Sequence, residues 1–279
     1  IIIPVFNRLE DTKNIIHDLR NQVTLNKLRI IIVNDGSTDG TAEWLDKQED
    51  IIVLNGNGFL YWAGAVNEAI KYIIKNNNNA DDWILFLNND VTIEQNYIDT
   101  LLKVGLEFFP AAIGSVLKNK YSKNLISIGP KLLPWKLVVD DLIYKGSKYC
   151  KDSVILNVDA ISGRGALFPI KSIIDTKGLK PLFLPHYFAD YELSIRVKKK
   201  GYKLVNSLQS IVYSSEDFDQ VIKKRKEEYL FSKLFSRKSS SLIYAKFLFW
   251  WEASSNIQRL SLPLRIILFI IKPGLRKNL

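Results

Sequence analysis

Between Ile1 and Pro110, short continuous apolar runs alternate with segments whose apolar residues recur at helical spacing. The runs are Ile1 to Phe6, Leu28 to Val33, Ile51 to Leu54 and Trp83 to Leu87. A stripe through Ile15, Ile16, Leu19 and Val23 predicts a helix after the first run, and Ala63 to Lys75 predicts another before the fourth. Unbroken apolar runs suit strands of a parallel sheet covered on both faces. Their alternation with helices predicts a doubly wound α/β fold. After Pro110 the pattern changes. Ala112 to Leu117, Leu125 to Ile128 and Val154 to Val158 are short runs without long helices between them, which predicts a mixed, partly antiparallel half. Ile161 to Phe168 reads as a strand interrupted by Gly163 and Gly165, a mark of close backbone or ligand approach. Tyr187 to Lys200 reads as a helix closed by Gly201.

The apolar runs end in polar loops, and ligands of open α/β sheets bind beyond the carboxyl ends of strands. Asn7-Arg8 follows the first run, Asn34 to Thr41 the second, Asn55 to Gly58 the third and Asn88-Asn89-Asp90 the fourth. Asp90 is the one charged residue of its triplet, suited to hold a hard cation through a single carboxylate. The same triplet also has the composition of a plain turn.

Composition narrows the classes. The 279 residues, 47% hydrophobic and 24% charged, describe an ordinary globular chain able to bury a full core. A single cysteine, Cys150, excludes an internal disulfide, and with two histidines makes a zinc cluster improbable. No methionine is present and the chain opens on Ile1, which reads as a trimmed start; no signal peptide is visible. The net charge of +10 is concentrated at the end: residues 217–279 hold 13 Lys/Arg against 5 Asp/Glu. This segment is amphipathic, with Lys223-Lys224-Arg225-Lys226, then Leu242 to Trp251 and Leu262 to Ile271. Lys246, Glu252 and Arg265 keep its apolar runs below the roughly 18 residues of a membrane span. Basic residues beside Trp250-Trp251 predict a helix lying on an anionic bilayer; packing on the core or on a second subunit is the other reading.

Five segments in order resemble glycosyltransferase family 2, whose members have the GT-A fold. Pro4-Val5-Phe6-Asn7-Arg8 resembles the family's P-x-Y-N-R opening, and Val33 to Thr41 its V-D-D-G-S-x-D-x-T loop, with Asn34 for the first Asp. Asn88-Asn89-Asp90 resembles the D-x-D element, and Phe188 to Leu193 the E-D-x-E-L segment, with Ala189 for the first Glu. Gly58 to Asn67 and Gly163-Arg164-Gly165 are similar to the rhamnosyltransferase-like branch.

The resemblance implies a mainly parallel mixed sheet flanked by helices over residues 1–216, comprising a nucleotide half (1–110) and an acceptor half (111–216). A basic helical extension over 217–279 would follow. It implies an inverting, metal-assisted hexosyltransferase that takes a dTDP- or UDP-sugar, rhamnose among the candidates, to a glycan or lipid-linked acceptor. That work belongs to bacterial surface polysaccharide synthesis at the inner face of the cell membrane. Pro4, Phe6 and Arg8 would wall the base pocket, and Asp35 would accept from the base. Asn57, Asn67, Asn88 and Asn89 would complete the donor site, and Asp90 would bind Mg²⁺ or Mn²⁺. Asp190 is the implied base, with helix capping as its alternative duty. Arg164 and His186 would serve the acceptor or phosphates, and Glu192 would orient the acceptor or pair with Arg164 or Arg196. A further histidine of the family's metal site is missing from Ser210 to Ser215, where Tyr213 is the nearest substitute.

Nucleotidyl transfer is disfavoured because Pro4 to Arg8 has no glycine-rich phosphate loop. Nucleic-acid binding lacks a reading motif. A donor-binding module that has lost catalysis remains, given Asn34, Ala189 and the missing histidine. The C-terminal helices are also the expected route to any homo-oligomer.

Overall fold

The structure is a computed structural model and describes residues 1–76, 79–141, 150–151, 153–214, 237 and 242–271. The Lys223-Lys224-Arg225-Lys226 cluster and the centre of the Asn76–Asn79 loop lie outside the described residues. The nucleotide half runs β1 (Ile2–Val5), α1 (Leu9–Arg20), β2 (Ile30–Asn34), α2 (Thr41–Leu45), β3 (Ile51–Asn55), α3 (Tyr61–Asn76) and β4 (Trp83–Phe86). Next come β5 (Val91–Ile93), α4 (Tyr97–Glu107), β6 (Ala111–Asn119), β7 (Leu125–Ser127), β8 (Lys131–Leu133) and β9 (Val138–Asp140). The chain continues through β10 (Cys150–Lys151), β11 (Val154–Leu156), β12 (Ala166–Pro169), α5 (Ile170–Thr176), α6 (Ala189–Lys199) and β13 (Lys203–Ser214). Two further helices, α7 (Ile243–Ala253) and α8 (Asn256–Ile271), follow.

The main sheet has the order β10-β11-β13-β6-β12-β4-β1-β2-β3, with β5 beside β13 and β7 beside β6. Strands β4, β1, β2 and β3 are mutually parallel. β12 joins them antiparallel to β4, so β4 is the seam between the two halves rather than the middle of a parallel sheet. The unbroken apolar runs follow from cover on both faces. Ile2, Ile31 and Phe86 pack with α3, α5 and α6, while Ile3, Ile32 and Leu85 pack with α1 and α4.

Three expectations need correction. The first helix ends at Arg20, and Val23 lies beyond it, 68% exposed. The predicted strand over Ile161 to Phe168 is a strand only from Ala166. Gly165 sits at φ 93°, where an L-residue is strained and an extended strand cannot continue. Third, Trp250 does not face outward: it is 1% exposed, packed in the core with Phe249, while Trp251 is 40% exposed. Neighbouring helix positions point about 100° apart, so a Trp pair on a helix divides between core and surface.

Candidate active site

The loops after β1, β2, β3 and β4 meet at one end of the sheet and are tied together by side-chain-to-backbone hydrogen bonds. Asn7 accepts at Oδ1 from the Thr38 N–H (2.8 Å), while Ser37 Oγ accepts from the Asn7 N–H (2.8 Å). Asp39 accepts from the Leu9 N–H at 2.9 Å and from Thr41, which holds its carboxyl below the usual carboxylate range. Asn34 is buried and accepts from the Ser37 N–H (3.1 Å), so in this chain it shapes the loop.

Asp35, 4% exposed, places its carboxylate against three backbone donors. They are the N–H groups of Gly58 (2.8 Å), Leu60 (2.9 Å) and Tyr61 (3.1 Å). The carboxylate therefore carries the wall that presents Tyr61 and Trp62, and both residues border the same cavity as Asp35 itself. Asp35→Ala leaves those donors without their anion. We expect a loss of about 2–3 kcal/mol in stability and at least a roughly tenfold drop in nucleotide affinity. Chemical denaturation and calorimetric titration with UDP measure the two effects, and unchanged values in both would refute this role.

The cavity at this end has a volume of about 430 Å³. It brings together nine of the residues singled out from sequence: Pro4, Phe6, Arg8, Asp35, Asn88, Asn89, Asp90, Arg164 and His186. Asn89-Asp90 is a turn and also part of the cavity wall. Asn89 donates to Thr12 Oγ1 at 3.1 Å, and Asn88 accepts from Trp62 Nε1 at 2.9 Å. Asp90, 8% exposed, forms an ion pair with Arg8 (Nη1–Oδ2 2.8 Å) across the cavity floor. Arg8 and Asn7 hold left-handed backbone conformations at φ 66° and 58°, which turn the chain sharply from β1 into α1. Val5, Gly58, Tyr61, Trp62, Ala65 and Tyr187 complete the lining; sequence reasoning missed them as site residues. The signal available was the aromatic density of Phe59 to Trp62 immediately before a helix.

Asp190 lies behind this wall, in the first turn of α6. Its carboxylate accepts from the Gly163 N–H (2.7 Å) and from the Tyr191 N–H (2.9 Å). Burial pushes its pKa above 3.8, against the opposing pull of these two N–H groups and of Arg164. The residue thus ties the start of a helix to the loop carrying Arg164, and its capping contact coexists with a carboxyl biased toward holding a proton. Gly163 is required here: an added Cβ would stand 2.5 Å from the Trp62 ring and 3.2 Å from Asp190 Cβ. Asp141 was not anticipated. Burial raises its pKa also, and it accepts from Ser127 Oγ (3.2 Å) and the Tyr191 hydroxyl (3.4 Å).

Other residues lie away from the cavity. Glu192 is fully buried, with its carboxylate held by Arg196 (2.8 Å) and Lys180 (2.7 Å); of its two expected duties the structure shows the pairing with Arg196, away from the acceptor. Asn67 Oδ1 accepts from the Leu179 N–H (3.1 Å), fastening α3 to the segment after α5. Asn57 is exposed and accepts from the Phe59 N–H (3.1 Å) within its own loop. Tyr213 donates to Glu94 (3.0 Å) and is absent from the cavity lining, so it does not replace the missing histidine there.

The sequence model of glycosyl transferase family 2 matches residues 1–150, more than half of the chain. The chain belongs to this family. No curated protein sequence matches this family 2 member. Among solved structures it is similar to GalNAc-T7, crystallised with UDP, GalNAc and Mn²⁺, with a TM-score of 0.61 and 11% identity over 93% of this chain. It is also similar to S. aureus TarS residues 1–349 in complex with UDP (TM-score 0.55, 11% identity), matching 97% of this chain and 70% of that one. The chain spans 56% of the GalNAc-T7 chain's length. At such identities the likeness establishes a shared fold: the mixed, mainly parallel sheet with flanking helices seen in these glycosyltransferases.

Proposed function

We propose that this chain transfers a sugar from a nucleoside-diphosphate sugar, UDP- or dTDP-linked, to a hydroxyl of a glycan or lipid-linked acceptor, with inversion. The observation that carries this reading is the cavity beyond β1, β2 and β4, which joins Pro4, Phe6, Arg8 and Asp90 on one side to Arg164 and His186 on the other. The aromatic and apolar wall suits a base, and the guanidiniums of Arg8 and Arg164 suit a diphosphate. In the reaction the acceptor oxygen forms a bond to the anomeric carbon. The bond from that carbon to the diphosphate oxygen breaks, and the diphosphate keeps the electron pair. Asp190 takes the acceptor's proton, a task its raised pKa favours.

A divalent cation, Mg²⁺ or Mn²⁺, fits at Asp90. Such ions on nucleotides take one or two carboxylates and complete their shell with phosphate oxygens and water. Among the described residues no group of three His, Cys, Asp or Glu side chains is arranged to hold a metal, so Asp90 would be the residue that holds the cation together with the donor. When bound, the cation offsets negative charge on the departing diphosphate. Arg8 already brings one positive charge to Asp90, and Asn88, held by Trp62, would contact the ribose.

The likeness of Gly58 to Asn67 and Gly163 to Gly165 to the rhamnosyltransferase-like branch supports rhamnose as a candidate sugar. We assign residues 1–216 to the transferase unit, with its acceptor half from 111, and 217–279 to an extension whose described helices dock on it. Bacterial surface polysaccharide synthesis on a membrane-held acceptor, at the inner face of the cell membrane, fits the basic extension. No described helix is long and apolar enough to cross a membrane.

The deciding experiment is calorimetric titration of the wild type and Asp90→Ala with UDP and dTDP, with and without Mn²⁺. We expect Mn²⁺ to tighten binding at least about tenfold in the wild type and to lose that effect in the variant. Binding of neither nucleotide would reject the transferase reading. The Arg8–Asp90 pair keeps one competing reading alive, a donor-binding module without turnover; it predicts nucleotide binding with no release of UDP or dTDP from any sugar donor.

A further inference from the structure

The helix α8 has two apolar faces. Leu262 and Ile266 point into the core, at 0% and 5% exposure. On the opposite side Ile257, Leu260, Leu264, Ile267 and Leu268 are exposed by 72%, 86%, 61%, 51% and 42%. Their spacing of three, four, three and one places them on a single stripe, about 16 Å long at 1.5 Å per residue. The helix carries no Asp or Glu along its whole length.

Two arginines stand on the shoulders of this stripe, each beside an exposed tryptophan. Arg259 lies over the Trp251 ring (5.3 Å) and donates to the Trp251 carbonyl. Arg265 lies over the Trp135 ring (5.1 Å), and it donates to the carbonyls of Pro134 and Gln258. Trp135 and Trp251 are 57% and 40% exposed. Apart from the carbonyls, Arg259 donates to Asn256 Oδ1 and Arg265 to Ser261 Oγ, all neutral oxygens, and Glu252 is the carboxylate near Arg259.

From this juxtaposition we infer that the outer stripe of α8 is a bilayer-insertion face: the helix lies in the plane of an anionic membrane surface, with Ile257 to Leu268 below the headgroups and the Trp/Arg pairs at headgroup level. Amphipathic helices at lipid interfaces have this division, with apolar residues inward, Trp at the boundary and cationic side chains against anionic lipid. A second copy of the chain fits the face less well. A two-fold contact is self-complementary, so it would bring arginine shoulders together with no acidic residue on the helix to oppose them. The inference rests on the proposed membrane-held acceptor, since such a face would seat the transferase on the surface that carries it.

The test is co-sedimentation of the full chain with phosphatidylcholine vesicles, with and without phosphatidylglycerol. It compares the wild type, Leu260→Ser/Leu264→Ser, and Leu106→Ser on α4 at the other face of the sheet. All the substituted side chains are exposed, and UDP titration of each protein reports folding independently. We expect the wild type and Leu106→Ser to bind phosphatidylglycerol vesicles, more weakly as salt rises, and the double variant to lose about tenfold in partitioning. Equal binding by the double variant, or no binding by the wild type, overturns the proposal. A wild-type dimer in solution that the double variant dissolves would assign the face to a second copy and overturn it too. Vesicle binding without nucleotide binding would instead fault the transferase reading and leave the face standing.

Discussion

Asp190→Asn leaves nucleotide affinity within about twofold and lowers sugar transfer by roughly 10²–10⁴-fold, the range for loss of a general base. The substitution keeps an oxygen acceptor for the Gly163 or Tyr191 N–H and keeps the side-chain volume beside Gly163, so the cavity wall stays in place. What disappears is the capacity to take a proton. The pH profile separates this from a positional effect. Burial raises the pKa of Asp190 above 3.8, so the carboxylate forms at higher pH than in the unfolded chain. Activity should rise with pH along an acid limb lying above 3.8, and the variant's residual activity should lack that limb. The same shift makes stability fall as pH rises from the unfolded to the folded pKa, because the folded state holds the proton more tightly. Steady-state kinetics of transfer across pH, with UDP titration alongside, measure all of this. A variant retaining more than about half of the wild-type rate would remove Asp190 from the proposed chemistry.

Glu192→Ala should be the most damaging substitution for stability, at about 3–5 kcal/mol, the usual cost of removing one partner from a buried ion pair. Glu192 is 0% exposed and is the shared anion of Arg196 and Lys180. Arg196 also donates to the carbonyls of Thr176 and Gly178, joining the end of α5 to α6. Removing the carboxylate strands a largely buried guanidinium at that junction, which supports the helix bearing Asp190. Glu192→Gln keeps hydrogen-bond acceptance and should cost less than the alanine variant. Urea unfolding gives both values. An acceptor-binding Glu192 would instead raise the acceptor KM of the Gln variant with little change in unfolding.

The two carboxylates stand two positions apart on one helix, and sequence placed both at the site. Helical geometry separates them by about 200°, so one can face the loop behind the cavity wall while the other enters the core. Which does which depends on what packs against each side. Gly163 meets Asp190, whereas Lys180 and Arg196 meet Glu192. The same limit applied to the tryptophan pair: Trp250 and Trp251 are equivalent in composition, and only the docking of α7 made one core and the other surface.

Strand β13 shows why the second half was hard to read. Lys203 to Ser214 mixes Asn, Ser and Gln with apolar residues in no clean period, yet it is a continuous 12-residue strand. It pairs with β6 on one side and with β11 and β5 on the other, with its register broken between Ser207 and Ile211. Its buried Ser207 and Ser210 satisfy one another at 2.8 Å, so polar residues sit in the core without interrupting the strand. Such compensation is a property of neighbours, not of the run itself.

By itself the sequence determined the α/β class, the places where strands give way to polar loops, and the set of side chains those loops carry. These are local quantities: apolar run length, helical spacing and the residue types that end them. Tertiary structure decided the rest. It closed Asp35 around three backbone N–H groups, paired Arg8 with Asp90 across 82 residues of chain, and brought Arg164 into a cavity begun by Pro4. It also buried Glu192 and left an apolar stripe of α8 outside. Contacts between residues far apart in sequence depend on how the sheet orders its strands, and no local pattern along the chain encodes that order.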